Sequence, residues 1–341
     1  MSLLLKSNIM VDNEIKDELV HGSVLMIRRA IIGLAAGIAV AIVLCAVPTP
    51  ADAEPTVQGP EVCAECHRAE MAIYEGTKHH GSFRTVHKAD GAKALAKAAG
   101  GQKNMKKNEV CQTCHYSMVT DPNKDKVKAK AGPSCESCHG ASSEWYPIHN
   151  DYGGTGVKAE EETAEHKEQR MAGAAAAGML WPSDRYGVAE NCMACHGLAH
   201  PDLDSAALAI MLDKGHKIVA DWELVRYSQG TVRHRYYPPD MTVNAEMSAA
   251  ELANLFVVGQ AAKLVSAAGA ASKSDHPKYV EFQDARAAAA TEALSALSAP
   301  EAAALISDPS RANARALVDA IAGMDLSGEV GGMLPDPGSY K

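Results

Sequence analysis

The motif C-x-x-C-H occurs four times in this chain of 341 residues. Its cysteines and histidines are Cys63, Cys66, His67, Cys111, Cys114, His115, Cys135, Cys138, His139, Cys192, Cys195 and His196. The motif is typical of c-type haem attachment, in which two thiols form thioethers with the porphyrin and the adjacent histidine binds iron. Paired cysteines also serve zinc sites and redox dithiols, but neither requires histidine after every second cysteine. The sequence therefore predicts four covalently bound haem c groups.

The ninth cysteine, Cys45, lies in an apolar run that follows two arginines and precedes Ala51-Asp52-Ala53. This small-x-small pattern is typical of a signal-peptide cleavage site. We therefore expect residues 1–53 to be a signal peptide, with Met26 as an alternative true start, and the haem-bearing part to be periplasmic. The alternative is an uncleaved segment, since the apolar run approaches the roughly 20 residues that span a bilayer. The haem domain would then be anchored to the inner membrane through this segment alone.

Composition and charge restrict the partners. The chain has three Phe, three Trp and ten Tyr, and porphyrins could replace such large planar side chains in its core. Residues 54–341 carry 29 Lys and Arg against 37 Asp and Glu, a net charge of −8. Such a surface argues against nucleic acid and favours docking with a basic redox protein, or a small anion steered locally.

Lysines are concentrated on both sides of the second motif, in contrast to the acidic composition of the chain as a whole. They are Lys103, Lys106, Lys107, Lys124, Lys126, Lys128 and Lys130. Two interpretations stay open, namely a basic rim around that haem or two solvated lysine-rich loops.

The predicted fold class is mainly α. A multihaem c-type cytochrome domain with little sheet is expected over residues 54–240, where Gly and Pro separate short helical stretches. An Ala-rich helical bundle is expected over 247–325 and a flexible tail over 326–341. Capping-box patterns at Ser248 and Ser298, and an Asp308-Pro309 start signal, favour bundle helices over 248–270, 277–297, 299–307 and 309–323.

Nine histidines beyond the motifs remain in residues 54–341, and four irons need at most four of them. They are His79, His80, His87, His149, His166, His200, His216, His234 and His276.

The chain resembles the tetrahaem cytochromes of the cytochrome c-554 family. The resemblance covers about residues 60–235 and rests on the four motifs in order, on CAECHRAEMAIYEGTKHH, and on GPSCESCHGASSEWYPIH. It implies that His79 is the distal ligand of the fourth haem, with adjacent His80 as the alternative. It also implies that His149 binds the iron of the first haem.

The resemblance is less specific for the other two haems. A later helical histidine binds the third haem in that family, and the candidates here are His216 and, in reserve, His234. The second haem of the typifying member has no distal side chain. Here the extra His87, His200 or His234 could bind it, and sulfur from Met105 or Met118 is a less favoured alternative.

These features predict electron transfer between redox partner proteins through closely packed, mostly bis-histidine haems. The short separation of Cys111 and Cys135 suggests that the second and third haems stack. One alternative is an oxidoreductase that acts on a small nitrogen or sulfur compound at one five-coordinate haem. The other is a subunit of a haem filament in which a spare histidine binds a neighbouring subunit's haem.

Overall fold

The computed structural model describes residues 54–121, 126–238 and 240–341. The expected signal peptide over 1–53 and one of the flanking lysines, Lys124, lie outside the described residues. Residues Pro55–Lys341 form one compact unit.

The part of the unit that carries the first three motifs consists of short helices and one hairpin. Its helices are α1 (Pro60–Ala64), α2 (Arg68–Glu75), α3 (Lys78–Thr85), α4 (Ala92–Gly100), α5 (Glu109–His115), α6 (Cys135–His139), α7 (Tyr146–His149) and α8 (Ala164–Ala176). Short 3-10 turns cover Val86–Lys88, Met105–Lys107 and Ala159–Glu161. The strands β1 (Ser117–Asp121) and β2 (Lys126–Ala131) pair antiparallel. The prediction of a mainly helical fold with little sheet is confirmed.

The remaining helices begin with the one that carries the fourth motif. They are α9 (Arg185–His196), α10 (Ser205–Asp213), α11 (Leu224–Ser228), α12 (Ala249–Ala270), α13 (Pro277–Ser295), α14 (Pro300–Ser307), α15 (Arg311–Ala320) and α16 (Ser327–Val330). Further 3-10 turns cover Gly331–Met333 and Pro337–Ser339. Helices α12 to α15 lie where the sequence predicts the bundle helices, within a few residues at each end.

One of the three predicted helix starts is correct in detail. Ser248 and Glu251 form the expected capping box at α12. Ser298 instead donates its backbone N–H and its hydroxyl to Glu329, each at 2.6 Å, and α14 begins at Pro300. Helix α15 is capped by Ser310, two residues beyond the predicted Asp308. At Ser298, the distant Glu329 replaces the expected capping contact with Glu301. At α15, the hydroxyl of Ser310 caps the helix in place of the predicted Asp308.

The bundle packs against the haem-bearing part and does not stand apart from it. Helix α12 lies along α13 and also contacts α9 and α11. Phe256 and Val257 of α12 share one buried cluster with Tyr186 and Met193 of α9. The predicted division between 54–240 and 247–325 is therefore not a boundary in the structure, because the apolar face of the bundle is covered by the helix of the fourth motif.

The last sixteen residues, expected to be a flexible tail, are ordered. Val330 is fully buried, and the backbone N–H of Lys341 donates to the carbonyl of Arg226 at 2.9 Å. The carbonyl of Lys341 accepts from the N–H of Thr231 at 2.7 Å. Paired backbone groups and the buried side chains of Leu326 and Val330 hold this segment in place.

Among the described helices, Ala249–Ala270 alone is long and apolar enough to cross a membrane. Because 67% of its most apolar window is buried inside the protein, it has the character of a core helix.

Candidate haem sites

Helices place three of the four motifs directly. The second lies on α5, the third forms α6, and the fourth occupies the last turn of α9, whereas the first begins in α1 and continues into the turn that follows. Asn108 shows how such a helix is fixed. Its buried side chain accepts from the N–H of Cys111 at 3.2 Å and donates to the carbonyl of Ala96 at 2.7 Å, which caps α5 and ties it to α4.

Each motif histidine lies opposite one histidine from elsewhere in the chain. The pairs, with ring centroids 6.0–6.4 Å apart, are His67 with His149, His115 with His216, His139 with His234, and His196 with His79. We call these pairs, each with its two motif cysteines, sites 1, 2, 3 and 4 in the order of the motifs.

The spacing fits one haem iron at each site. A metal–nitrogen bond is about 2 Å long and an imidazole centroid lies about 1 Å behind its nitrogen, so two rings on opposite faces of one iron should be about 6 Å apart. The four observed separations of 6.0–6.4 Å match this value. The two motif cysteines lie within four residues of one histidine of every pair.

Backbone hydrogen bonds orient several of these rings. The Nδ1 of His139 lies 2.8 Å from the carbonyl of Leu180, that of His149 lies 2.7 Å from the carbonyl of Tyr146, and that of His234 lies 2.6 Å from the carbonyl of Val232. A nitrogen that faces a carbonyl must carry the proton and donate. Nε2 is then unprotonated and available to a metal, which is the usual arrangement of a ligating histidine.

Burial favours the neutral form of three motif histidines, His115, His139 and His196. Burial, with a smaller effect from the neighbouring His216 and His79, respectively, lowers the pKa of His115 and of His196 to about 4. Burial also lowers the pKa of His139, His79 and His216. Neutral imidazole is the form that binds iron, so the environment favours the ligating state near neutral pH.

At site 4 the structure distinguishes the two adjacent histidines of α3. His79 faces His196, whereas the Nδ1 of His80 bonds to the carbonyl of Glu75 at 3.0 Å and its ring packs edge-on against Tyr74. Gly132 permits this placement, because a Cβ there would collide with the backbone carbonyl of His79. The hairpin therefore approaches α3 more closely than any residue with a side chain would allow.

The assignment of His216 to the third haem is wrong in this structure. His216 faces His115 of site 2, and the reserve candidate His234 faces His139 of site 3. The cause is helix packing. His216 follows α10, which packs against α4, and α4 in turn packs against α5.

The other candidates for the second haem lie in different contacts. Among the described residues, no ring contact joins His87 or His200 to His115. The Nδ1 of His200 accepts from the N–H of Asp202 at 3.3 Å. Met105 and Met118 belong to the apolar cluster around Cys111.

Cysteines of different motifs lie side by side, and these contacts show which sites are neighbours in space. The side chains of Cys63 and Cys135, of Cys138 and Cys192, and of Cys195 and Cys114 are direct neighbours. Site 1 therefore adjoins site 3, site 3 adjoins site 4, and site 4 adjoins site 2. The expected stacking of the second and third haems, which are neighbours in sequence, finds no counterpart in these contacts.

A buried arginine that packs against the fourth motif is not predicted by the sequence. Arg286 of α13 is 3% exposed, and its guanidinium donates to Sδ of Met193 at 3.3 Å and to Oγ of Ser266 at 3.0 Å. Gln283, one turn earlier, accepts a further bond from Arg286 and donates to the carbonyl of Gly197 at 2.9 Å. Among the described residues no carboxylate pairs with this charge. Only the helical periodicity of α13 indicates that residue 286 lies on the side of the helix that faces the core.

Residues 62–140, which contain the first three motifs, match the family model described as cytochrome c554 and c-prime. Over this segment, which is less than half of the chain, the protein is similar to a family of c-type cytochromes, in keeping with the C-x-x-C-H motifs that the segment contains. The resemblance to the cytochrome c-554 family is confirmed over that segment, and the fourth motif lies beyond it. No curated protein and no solved structure matches the chain.

Proposed function

We propose that this protein is a periplasmic electron carrier with four covalently bound haem c groups, each held between two histidines. The single observation that carries the proposal is the set of four histidine pairs, each with one motif member and a centroid separation of 6.0–6.4 Å. The ligands would be His67 and His149, His115 and His216, His139 and His234, and His196 and His79.

Bound haem c supplies a reversible one-electron couple between ferrous and ferric iron. The chain's part would be to hold both imidazoles of each pair in place, so that the iron's ligands change little with oxidation state. Hydrogen bonds from the Nδ1 of His139, His149 and His234 to backbone carbonyls fix three of these rings. An aromatic neighbour restrains a fourth ring, since Trp222 stacks on His196 at 4.9 Å, and Trp145 also packs edge-on against His149 at 5.1 Å.

The order of the sites supports transfer along the molecule. Cysteine contacts link site 1 to 3, 3 to 4 and 4 to 2, so that the four sites form one unbranched series. Sites 1 and 2 are its ends. Glu61 and Glu65 beside the first motif are exposed, so this end of the series lies at the surface, which suits exchange with a partner.

The alternative of catalysis at a five-coordinate haem requires an iron without a distal ligand. His216 occupies the position opposite His115, where the family's typifying member has no side chain. The filament alternative requires a spare histidine, yet four of the five unpaired histidines bond within the described chain. His200 accepts from the N–H of Asp202. His80 bonds to Glu75, His166 to Glu162, and His276 to Asp213. Neither alternative gains a supporting observation.

Intact mass and coulometry test the proposal together. The exported protein should carry four haem increments on a chain that starts at Glu54, and it should take up four electrons per molecule reversibly. Fewer than four haems, or fewer than four electrons, would contradict the tetrahaem carrier. A mass that includes residues 1–53 would instead indicate the membrane-anchored form and leave the carrier function intact.

A further inference from the structure

Charge is distributed unevenly along this acidic chain. Residues 84–130 carry 11 Lys and Arg against four Asp and Glu, a net charge of +7. The other residues of 54–341 carry 18 Lys and Arg against 33 Asp and Glu, a net charge of −15. One segment of 47 residues is thus strongly basic in a protein whose remainder is strongly acidic.

The structure gathers this segment around site 2. Helix α4, the turn Met105–Lys107 and helix α5 pack against one another, and β2 lies beside the same turn. The side chain of Gln112, inside the second motif, donates to the carbonyl of Lys106 at 2.8 Å. Met105 is buried in the cluster of Cys111. The lysines are therefore attached to the elements that hold the second motif, and they do not lie on remote loops.

We define the lysine face by nine described residues that lie in these elements or in the segments next to them in the chain. They are Lys88, Lys93, Lys97, Lys103, Lys106, Lys107, Lys126, Lys128 and Lys130. All except Lys106 are exposed. Lys106 lies over the ring of Phe83, with Nζ 3.4 Å from the centroid, and Phe83 in turn packs edge-on against Tyr116, next to His115.

The charges of the lysine face are not neutralised within the described chain. No ion pair joins any of its nine members to a described carboxylate, although exposed arginines elsewhere pair with Asp and Glu, as Arg311 does with Glu190 at 3.0 Å. Burial lowers the pKa of His87, and the charges of Lys106, Lys88 and Lys93 contribute to the same shift. These three lysines therefore lie near one histidine ring. Like charges held this close, without internal partners, attract an external anion.

We propose that the lysine face is the docking surface for a redox protein with an acidic surface, which exchanges electrons with site 2. This proposal rests on the proposed electron-carrier function and adds the partner's chemistry and the place of exchange. Site 2 is an end of the series of sites, and an end must meet a partner. The opposite end, site 1, is flanked by exposed Glu61 and Glu65, so the two ends carry opposite charge and select different partners.

The test uses the haem-loaded protein and immobilised poly-L-glutamate as an acidic protein surface. The variant is Lys93→Glu, Lys103→Glu and Lys107→Glu combined. The matched control is Lys158→Glu, Lys167→Glu and Lys278→Glu combined, which changes net charge equally at exposed lysines outside the face. Wild type and control should be retained at low ionic strength despite their negative net charge and elute with salt, whereas the face variant should pass through.

A kinetic measurement ties this binding to electron exchange. Poly-L-glutamate in solution should slow the oxidation of reduced wild type and control by ferricyanide about tenfold at low salt, and should leave the face variant unaffected. Equal behaviour of the two triple variants would overturn the proposal, because the lysines would then act through net charge alone. Failure of the proposed function looks different, since the reduced protein would not be oxidised by ferricyanide in any variant, with or without the polyanion.

Discussion

His216 lies opposite His115, with ring centroids 6.1 Å apart, at the site where the family's typifying member has no distal side chain. Packing of α10 on α4 brings it there, through Leu208 and Leu212 against Leu95 and Ala99. If each pair binds one haem iron, His216 is the residue that distinguishes two classes of protein. With it, all four irons have two histidine ligands, as in an electron carrier; without it, one iron has a free position for a substrate.

Replacing His216 with Ala should open site 2 alone. We expect one haem in four to change from low spin to high spin and to bind carbon monoxide when reduced. The control is His200→Ala, which removes a histidine outside the four pairs. Carbon monoxide difference spectra of both variants check this, and an unchanged His216→Ala protein would mean that another group binds that iron.

Replacing His149 with Ala should have the same effect at site 1. Its ring lies 6.4 Å from that of His67, and Trp145 and Tyr146 surround it without offering a ligand of comparable strength. The potential of one haem should shift because an axial nitrogen is lost. Spectroelectrochemical titration measures this, with His200→Ala, which lies outside the four pairs, as the control that should retain four wild-type couples.

Arg286 should raise the reduction potential of the haem at site 4. A buried positive charge beside the fourth motif stabilises the reduced, less positive iron, and such a charge is worth about 1 kcal/mol, or tens of millivolts, at an effective dielectric constant of about 20. Arg286→Met should lower one of the four potentials by that amount, and Arg286→Lys should largely restore it. Arg315→Met is the control, since Arg315 is already paired with Asp184 at 3.1 Å. Four unchanged potentials in Arg286→Met would contradict this role.

Glu162 should stabilise the fold around His149 in a pH-dependent way. It accepts two bonds of 2.7 Å from Arg170, which donates a third to the carbonyl of His149, and Arg170 and His166 lower the pKa of Glu162 to about 2. Because the folded pKa lies below the ordinary 4.5, this stabilisation is fully present above about pH 4.5 and is lost as the pH falls towards 2. Glu162→Gln should therefore be less stable than wild type in denaturant at pH 7, and the difference should narrow at pH 3.

The matched control for this experiment is Glu165→Gln, an exposed carboxylate in the first turn of α8. It should change the free energy of unfolding little at either pH. A difference between Glu162→Gln and wild type that stayed constant from pH 7 to pH 3 would show that the stabilisation does not depend on the charge of this carboxylate.

The sequence predicts the local features of this protein better than its long-range pairings. The four motifs, the helical class and the bundle helices follow from short patterns whose physical cause is local. The pairing of each motif histidine with its distant partner does not follow from such patterns. His216 and His234 are brought to their sites by the packing of helices, which the spacing of residues in the sequence does not predict. The ordered C-terminal segment escaped prediction for the same reason, since Val330 is buried by contacts with residues far along the chain.

The most direct test of the account is the low-temperature electron spin resonance spectrum of the fully oxidised protein. The four histidine pairs predict low-spin ferric haem at every site, with no high-spin signal. Integration should give four low-spin irons per chain. A high-spin signal that integrates to one iron in four would contradict the account and indicate that one site, most plainly site 2, lacks its distal histidine.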